Sequence, residues 1–99
     1  MNVTKNYNAN ELTLSVEGRI DTITSQDLEN EINTEIGNFD SLVMNFSDVE
    51  YISSAGLRVL IATHKRLDAD GVPLSIVEVN DNVGEIFRMS GIDKILTVE

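Results

Sequence analysis

The sequence predicts an α/β domain: a small mixed sheet, opened by an N-terminal hairpin and continued mainly by parallel crossovers, with about three to four helices packed on it. Three observations carry this prediction. Leu12-Thr13-Leu14-Ser15-Val16 alternates strictly between apolar and polar residues, the two-residue period of a strand with one buried face. Leu42-Val43-Met44-Asn45-Phe46 is a nearly continuous apolar run of strand length, as expected of a central strand, and Leu74-Ser75-Ile76-Val77-Glu78-Val79 is another strand. Between and after them the apolar residues switch to helical spacing, so helices link successive strands and those strands can lie parallel.

Each element follows in chain order. Val3–Tyr7 and Leu12–Val16 pair as a hairpin across the turn Asn8-Ala9-Asn10, and Gly18 ends the second strand. Arg19-Ile20-Asp21 leads to a helix start at Thr24-Ser25-Gln26-Asp27, where Asp27 stands three residues after a threonine cap. Leu28, Ile32 and Ile36 repeat at four-residue spacing as the buried stripe of that helix, which stops near Gly37. Asn45 interrupts the central strand as a hydrogen-bonding side chain, and Ser47-Asp48-Val49-Glu50 reads as a polar turn. The longest helix runs from Ser54 to about Ala69. At 100° per residue, Leu57, Leu60, Ile61, His64 and Leu67 fall on its inner side, while Ser54, Arg58, Ile61 and Lys65 form a line up it. Asp70-Gly71-Val72-Pro73 closes this helix, and the strand Leu74–Val79 follows. Asn80 or Asp81 caps a shorter helix that turns Val83, Ile86 and Phe87 inward and stops at Gly91, and Lys94–Val98 forms a last short strand. Ninety-nine residues, 41% of them apolar, suffice for one core and leave no room for a second, so the expected domain spans residues 1–99.

Charge and composition narrow the function. Seventeen acidic residues against seven basic give a net charge of -10, which repels nucleic-acid phosphates and anionic membranes and favours solubility or steering toward a basic partner. The stretch from Asp21 to Asp40 carries acidic residues and no basic one, so the exposed side of the first helix should be negative. No cysteine is present, there is no apolar run long enough to span a bilayer, and no leader-like start, so a cytoplasmic protein without direct membrane insertion is expected.

The chemistry centres on Tyr51–Leu60, where an apolar strand ends in two serines and a helix begins. A hydroxyl there can cap the helix, bind an anion or carry a phosphate. Catalysis by these serines is excluded by distance: the single histidine, His64, lies ten residues after Ser54, about 15 Å along the same helix. With one histidine and no cysteine, no metal site is visible, and no glycine-rich phosphate loop points to a cofactor. Gly56 costs about 1 kcal/mol relative to alanine in a first helical turn, which implies either close backbone packing or close approach of a partner to the serine. A phosphate on Ser54 would add roughly -1.5 to -2 charges where the helix dipole tolerates an anion, with Arg58 one turn away. The fold should survive it, whereas an interface over Leu57 and Ile61 should not. A nucleotide-binding module with its phosphate on that first turn is the alternative from the residues themselves.

Strand, Ser-Ser-Ala-Gly-Leu, helix resembles the signature of STAS domains, specifically the bacterial anti-sigma factor antagonists. Gly18-Arg19-Ile20-Asp21 is similar to the family's Gly-x-[Leu/Ile]-Asp, Asn45 falls at the asparagine of its central strand, and Ile86-Phe87-Arg88-Met89-Ser90-Gly91-Ile92 resembles its late helix and glycine stop. The resemblance implies the STAS fold over nearly the whole chain. It also implies a monomeric, non-enzymatic protein whose unphosphorylated form binds an anti-sigma factor serine kinase and so frees a sigma factor. Phosphorylation would end that binding, and a metal-dependent serine phosphatase would restore it. Carried over residue by residue, the acceptor falls on Ser54, with Asp21 and Asn45 beside it, and the partner surface takes in Ser53, Gly56, Leu57, Arg58 and Ile61. Ser53 replaces the aspartate of the commonest form, Asp-Ser-[Ser/Thr]-Gly-Leu, and becomes a competing acceptor; Ala55 replaces the second hydroxyl. A regulatory STAS subunit of a membrane transporter or lipid-transport complex is the alternative within the same fold.

Overall fold

A computed structural model describes residues 1–99. Five strands form one sheet in the order β1 (Asn2–Asn8), β2 (Glu11–Ile20), β3 (Ser41–Ile52), β4 (Leu74–Val77) and β5 (Thr97–Val98). β1 and β2 are the antiparallel hairpin, and every later pair is parallel. The crossovers are α1 (Thr24–Asn33), α2 (Ser54–Ala69) and α3 (Asp81–Ser90), the last followed by a 3-10 turn at Ile92–Lys94. Parallel strands laid down in sequential order by crossovers of one hand place their helices on one face. The side chains agree. Leu12, Leu14 and Val16, Leu42, Met44 and Phe46, and Leu74 and Ile76 are buried on that face, and Phe87 of α3 reaches Phe46 with ring centroids 6.1 Å apart. The residues between them, Thr13, Val43, Asn45, Ser75 and Val77, lie on the opposite face and are only half-buried.

Several elements differ from the sequence expectation, each for a local reason. Gly18 does not end β2; it sits inside it at φ +101, and register shifts on either side let the strand bend and continue to Ile20. Ser47–Glu50 is not a free turn, because β3 keeps pairing with that bulged end of β2: Asp48 lies opposite Glu17, and Val49 opposite Gly18. Helix α1 ends at Asn33, four residues before Gly37, because the chain tightens into i→i−3 bonds such as Glu35 N–H to Ile32 O, 3.0 Å. Ile36 is therefore half-buried and outside the helix. The last strand shrinks to Thr97–Val98 because Ile95 and Leu96 donate back to Ile92 O at 3.0 and 2.8 Å. Strand β4 stops at Val77, before Glu78 at φ +60.

The inner side of α2 is Gly56, Val59, Leu60, Thr63 and Leu67. Leu57, Ile61 and His64, expected inside, are half-buried along its flank, so the helix is rotated from the expected arc by roughly one residue step. The cause is Gly56, which settles against the sheet and draws the next positions of its own stripe down with it. Thr63 is accommodated in the core because its Oγ1 donates to Val59 O at 2.8 Å.

Candidate functional site

Strand β3 ends at Ile52, beside the end of β2, and the Ser53 N–H donates to Ile20 O at 2.8 Å. This bond fixes where α2 begins. Ser53 is the N-cap: its backbone is extended at φ -86 and ψ 172, its Oγ accepts from the Gly56 N–H at 3.2 Å, and its carbonyl accepts from the Leu57 N–H at 2.9 Å. Ser54 is the first helical residue. It is exposed, and its hydroxyl has no partner in the chain. The two adjacent serines thus divide two tasks: one hydroxyl is committed to the helix and the other faces solvent.

Gly56 shows why the junction is tight. A Cβ there would lie 2.6 Å from Ile52 Cγ1 and 2.8 Å from Ile20 Cγ2, both on branched and fully buried side chains. Its missing side chain serves close packing on the strand ends, so Gly56 acts on the site from beneath and offers little surface itself.

Asp21 lies one residue beyond the carbonyl that holds Ser53, and its carboxylate is engaged locally. Oδ1 accepts from the Thr24 N–H at 2.8 Å and from the Ile23 N–H at 2.9 Å, while Thr24 Oγ1 accepts from the Asp21 N–H at 2.8 Å. The reciprocal capping box of α1 is therefore Asp21 with Thr24, in place of the expected Thr24 with Asp27. The Thr24 N–H bond, foremost, with further help from the Thr24 hydroxyl, Ile23 N–H and Arg19, holds the Asp21 carboxyl below the usual carboxylate range. Asn45 is not beside Ser54. It is seven residues ahead of Ile52 on β3, on the sheet face away from the helices, and its Oδ1 accepts from the Ser47 N–H at 2.9 Å. Asp21, Ser53 and Ser54 are thus brought together, and Asn45 is left apart.

Along α2 the expected outward line is present: Ser54, Arg58 and Lys65 are exposed, with Leu57 and Ile61 half-buried beside them. Of the seven basic side chains, Lys5, Arg66 and Arg88 each have a carboxylate within 4.0 Å, and Arg19 stacks over Tyr51 at 4.5 Å. Arg58 and Lys65 have neither kind of partner. Two contacts escaped the sequence reading. Beyond β4, Asn80 Nδ2 donates to Val49 O at 2.6 Å and Asn82 Nδ2 to Glu50 O at 3.0 Å, so the start of α3 braces the part of β3 that delivers the two serines. Asn80 carried a capping signal, and it does cap α3 through Val83 N–H at 2.9 Å; its second bond depends on where β4 stops, which no local pattern reports.

Neither of the two cavities covers Ser54. The larger, about 500 Å³, lies among Glu17, Asp48, Glu50 and Asn80, and the smaller, about 170 Å³, between α1 and α2. No helix is long and apolar enough to cross a membrane.

Ser54 thus presents an exposed, unpartnered hydroxyl at the start of α2, beside the half-buried strip of Leu57 and Ile61. Comparison with known proteins identifies the family. A STAS domain model matches residues 1–99. The anti-sigma-B factor antagonist of Staphylococcus aureus is 31% identical over 88 residues, covering 86% of this chain and 80% of the relative. Among solved structures, an anti-sigma factor antagonist from Mycobacterium paratuberculosis has a TM-score of 0.88 at 26% identity, over 98% of this chain and 83% of that one. The anti-sigma factor antagonist SpoIIAA in its unphosphorylated form shares the fold, with a TM-score of 0.84 at 16% identity over 99% of this chain and 88% of its own. The chain belongs to the STAS domain family, among the anti-sigma factor antagonists, which are regulators and not enzymes.

Proposed function

We propose that this chain is a cytoplasmic, monomeric anti-sigma factor antagonist whose unphosphorylated form binds an anti-sigma factor serine kinase, releasing the sigma factor, and that phosphorylation of Ser54 switches it off. The observation that carries this reading is the division of labour at the start of α2: Ser53 Oγ is occupied by the Gly56 N–H, and Ser54 Oγ is exposed and free. In the transfer, Ser54 Oγ attacks the γ-phosphorus of the ATP held by the kinase. The new O–P bond forms as the bridging bond to the β-phosphate breaks, ADP leaves, and the hydroxyl proton passes to a base of the kinase. A metal-dependent serine phosphatase returns the chain to its binding form by hydrolysis.

Phosphate at this position is compatible with the fold, since an anion at a helix start is favoured by the dipole and by the free N–H groups there. It is incompatible with a partner packed over Leu57 and Ile61, because a dianion would be desolvated in that interface. Asp21 lies at the edge of the same surface, held by its capping bonds. The test is incubation with ATP and candidate anti-sigma factor kinases of the same organism, followed by mass mapping of the modified residue. Phosphate on Ser54, lost in Ser54→Ala, is the expected result. Phosphate on Ser53, or persistence of modification in Ser54→Ala, overturns the site, and no modification with tight binding to a transporter subunit overturns the function.

A further inference from the structure

Arg58 is an unusual residue for its surroundings. The chain carries -10 net charge, yet α2 has no acidic residue from Ser54 to Leu67, and Arg58 is exposed with no carboxylate within 4 Å. It stands four residues after Ser54, the spacing that places two side chains on one face of a helix about 5–6 Å apart at Cβ. Ser54 and Arg58 both point outward because Gly56, between them, is seated against Ile20 and Ile52. Lys65 continues the line without an acidic partner of its own, and Leu57 and Ile61 supply half-buried apolar surface beside it. A free guanidinium next to an apolar strip fits an acidic side chain on the docked protein. The same guanidinium also lies within reach of a phosphate on Ser54.

We infer that Arg58 is the charge relay of the switch. In the unmodified chain it receives a carboxylate of the protein docked over α2, and after transfer to Ser54 it is captured by the phosphate of its own helix, which removes it from the interface. This inference rests on the proposed role of Ser54. It adds that the partner presents acidic chemistry to α2, despite the acidic character of this chain as a whole, and that phosphorylation acts by subtracting a cation as well as by adding an anion. A phosphate on Ser54 carries about -1.5 to -2 charges against the single charge of a carboxylate and stands one turn away on the same helix, so it competes for the guanidinium without an association step.

The capture half is tested without any partner. Phosphoserine is installed at residue 54 by codon suppression, and its second ionisation is followed by phosphorus NMR in the otherwise unaltered chain, in Arg58→Ala and in Arg58→Lys. Capture lowers the apparent pKa of the phosphate by about 0.3–0.7 of a pH unit relative to Arg58→Ala, with partial recovery in Arg58→Lys. Identical titrations in all three overturn it, whether or not a kinase modifies Ser54. The partner half uses the kinase identified by phosphate transfer. Arg58→Glu should bind it at least about tenfold more weakly, mainly through slower association with a flatter salt dependence, while Lys94→Glu, far from Ser54 in the sequence and equally unpaired, stays near wild type. Undiminished binding by a folded Arg58→Glu overturns the acidic-partner assignment, and so does an equal loss in Lys94→Glu.

Discussion

At the scale of single residues, two adjacent serines have different physical roles. Ser53 Oγ satisfies one of the orphan N–H groups at the start of α2, so Ser53→Ala should lower stability by about 1 kcal/mol. That corresponds to a fall in Tm of roughly 4–8 °C by calorimetry for a domain of this size. Ser54→Ala removes a hydroxyl that bonds nothing in the chain and should stay within about 0.5 kcal/mol of wild type in the same measurement. Equal losses in both variants would contradict the assignment of the cap. Gly56 gives a third case. Gly-to-Ala on an open helix stabilises by up to about 1 kcal/mol. Here the added Cβ meets Ile52 and Ile20 inside 3 Å, so overpacking at about 1–3 kcal/mol decides the sign, and chemical denaturation should find Gly56→Ala less stable. The helix-propensity signal at Gly56 was legible in the sequence, with close backbone packing as one of its two readings; which reading holds was not legible, because Ile20 is distant in the chain.

At the scale of elements, the sheet edge and the late helix are held by polar clamps. Lys5 of β1 reaches Glu31 Oε2 at 2.8 Å and Glu35 Oε2 at 3.3 Å, and the Tyr7 hydroxyl donates to Glu35 Oε1 at 2.8 Å, tying the hairpin edge to α1 and the turn after it. Tyr7 first, and then Lys5, holds the Glu35 carboxyl below its ordinary range, while the bond to Glu31 raises Lys5. Burial and then the Glu35 bond raise Tyr7. A lowered carboxylate contributes stability above its unfolded pKa, near 4.3, and loses that contribution as pH falls through its lower folded value. The raised Lys5 and Tyr7 contribute fully below their unfolded values, near 10, and lose their contributions as pH rises through the folded ones. The β1–α1 contact should therefore hold constant between roughly pH 5 and 9 and loosen on both sides, read by the ring resonances of Tyr7. A pH profile unchanged in Glu35→Gln would remove that account. For α3, Asn80→Asp keeps the acceptor for Val83 N–H and loses the donor to Val49 O, whereas Asn80→Ala loses both. Faster amide exchange around Val49–Ser53 in both variants, with fraying of α3 only in Asn80→Ala, is the expected pattern.

At the scale of the whole molecule, a charge of -10 in 99 residues repels itself, so the folded state should gain stability as sodium chloride rises from 10 to 150 mM and the screening length falls to about 8 Å. A Tm that does not rise over that range would show the charges to be already compensated. The alternation of periods in the sequence was enough for the order of elements, the antiparallel start and the parallel remainder, because burial of one face per element is a local pattern written in residue type. The strand–serine–helix junction was legible for the same reason, since caps and strand ends are short-range features. The tertiary structure alone decided which serine caps and which is free, that Asn45 lies on the far face of the sheet, and that α2 is rotated with Leu57 and Ile61 on its flank. It also showed that β3 runs through Ser47–Glu50 and that α3 braces it. Each of these depends on contacts between residues far apart in the chain: Gly56 on Ile20, Asn80 on Val49, the bulge in β2 on β3. Local sequence specifies what each segment wants to be, while the angle and register at which segments meet are set by the shared core, and the exposure of Ser54 beside a capping Ser53 follows from that meeting.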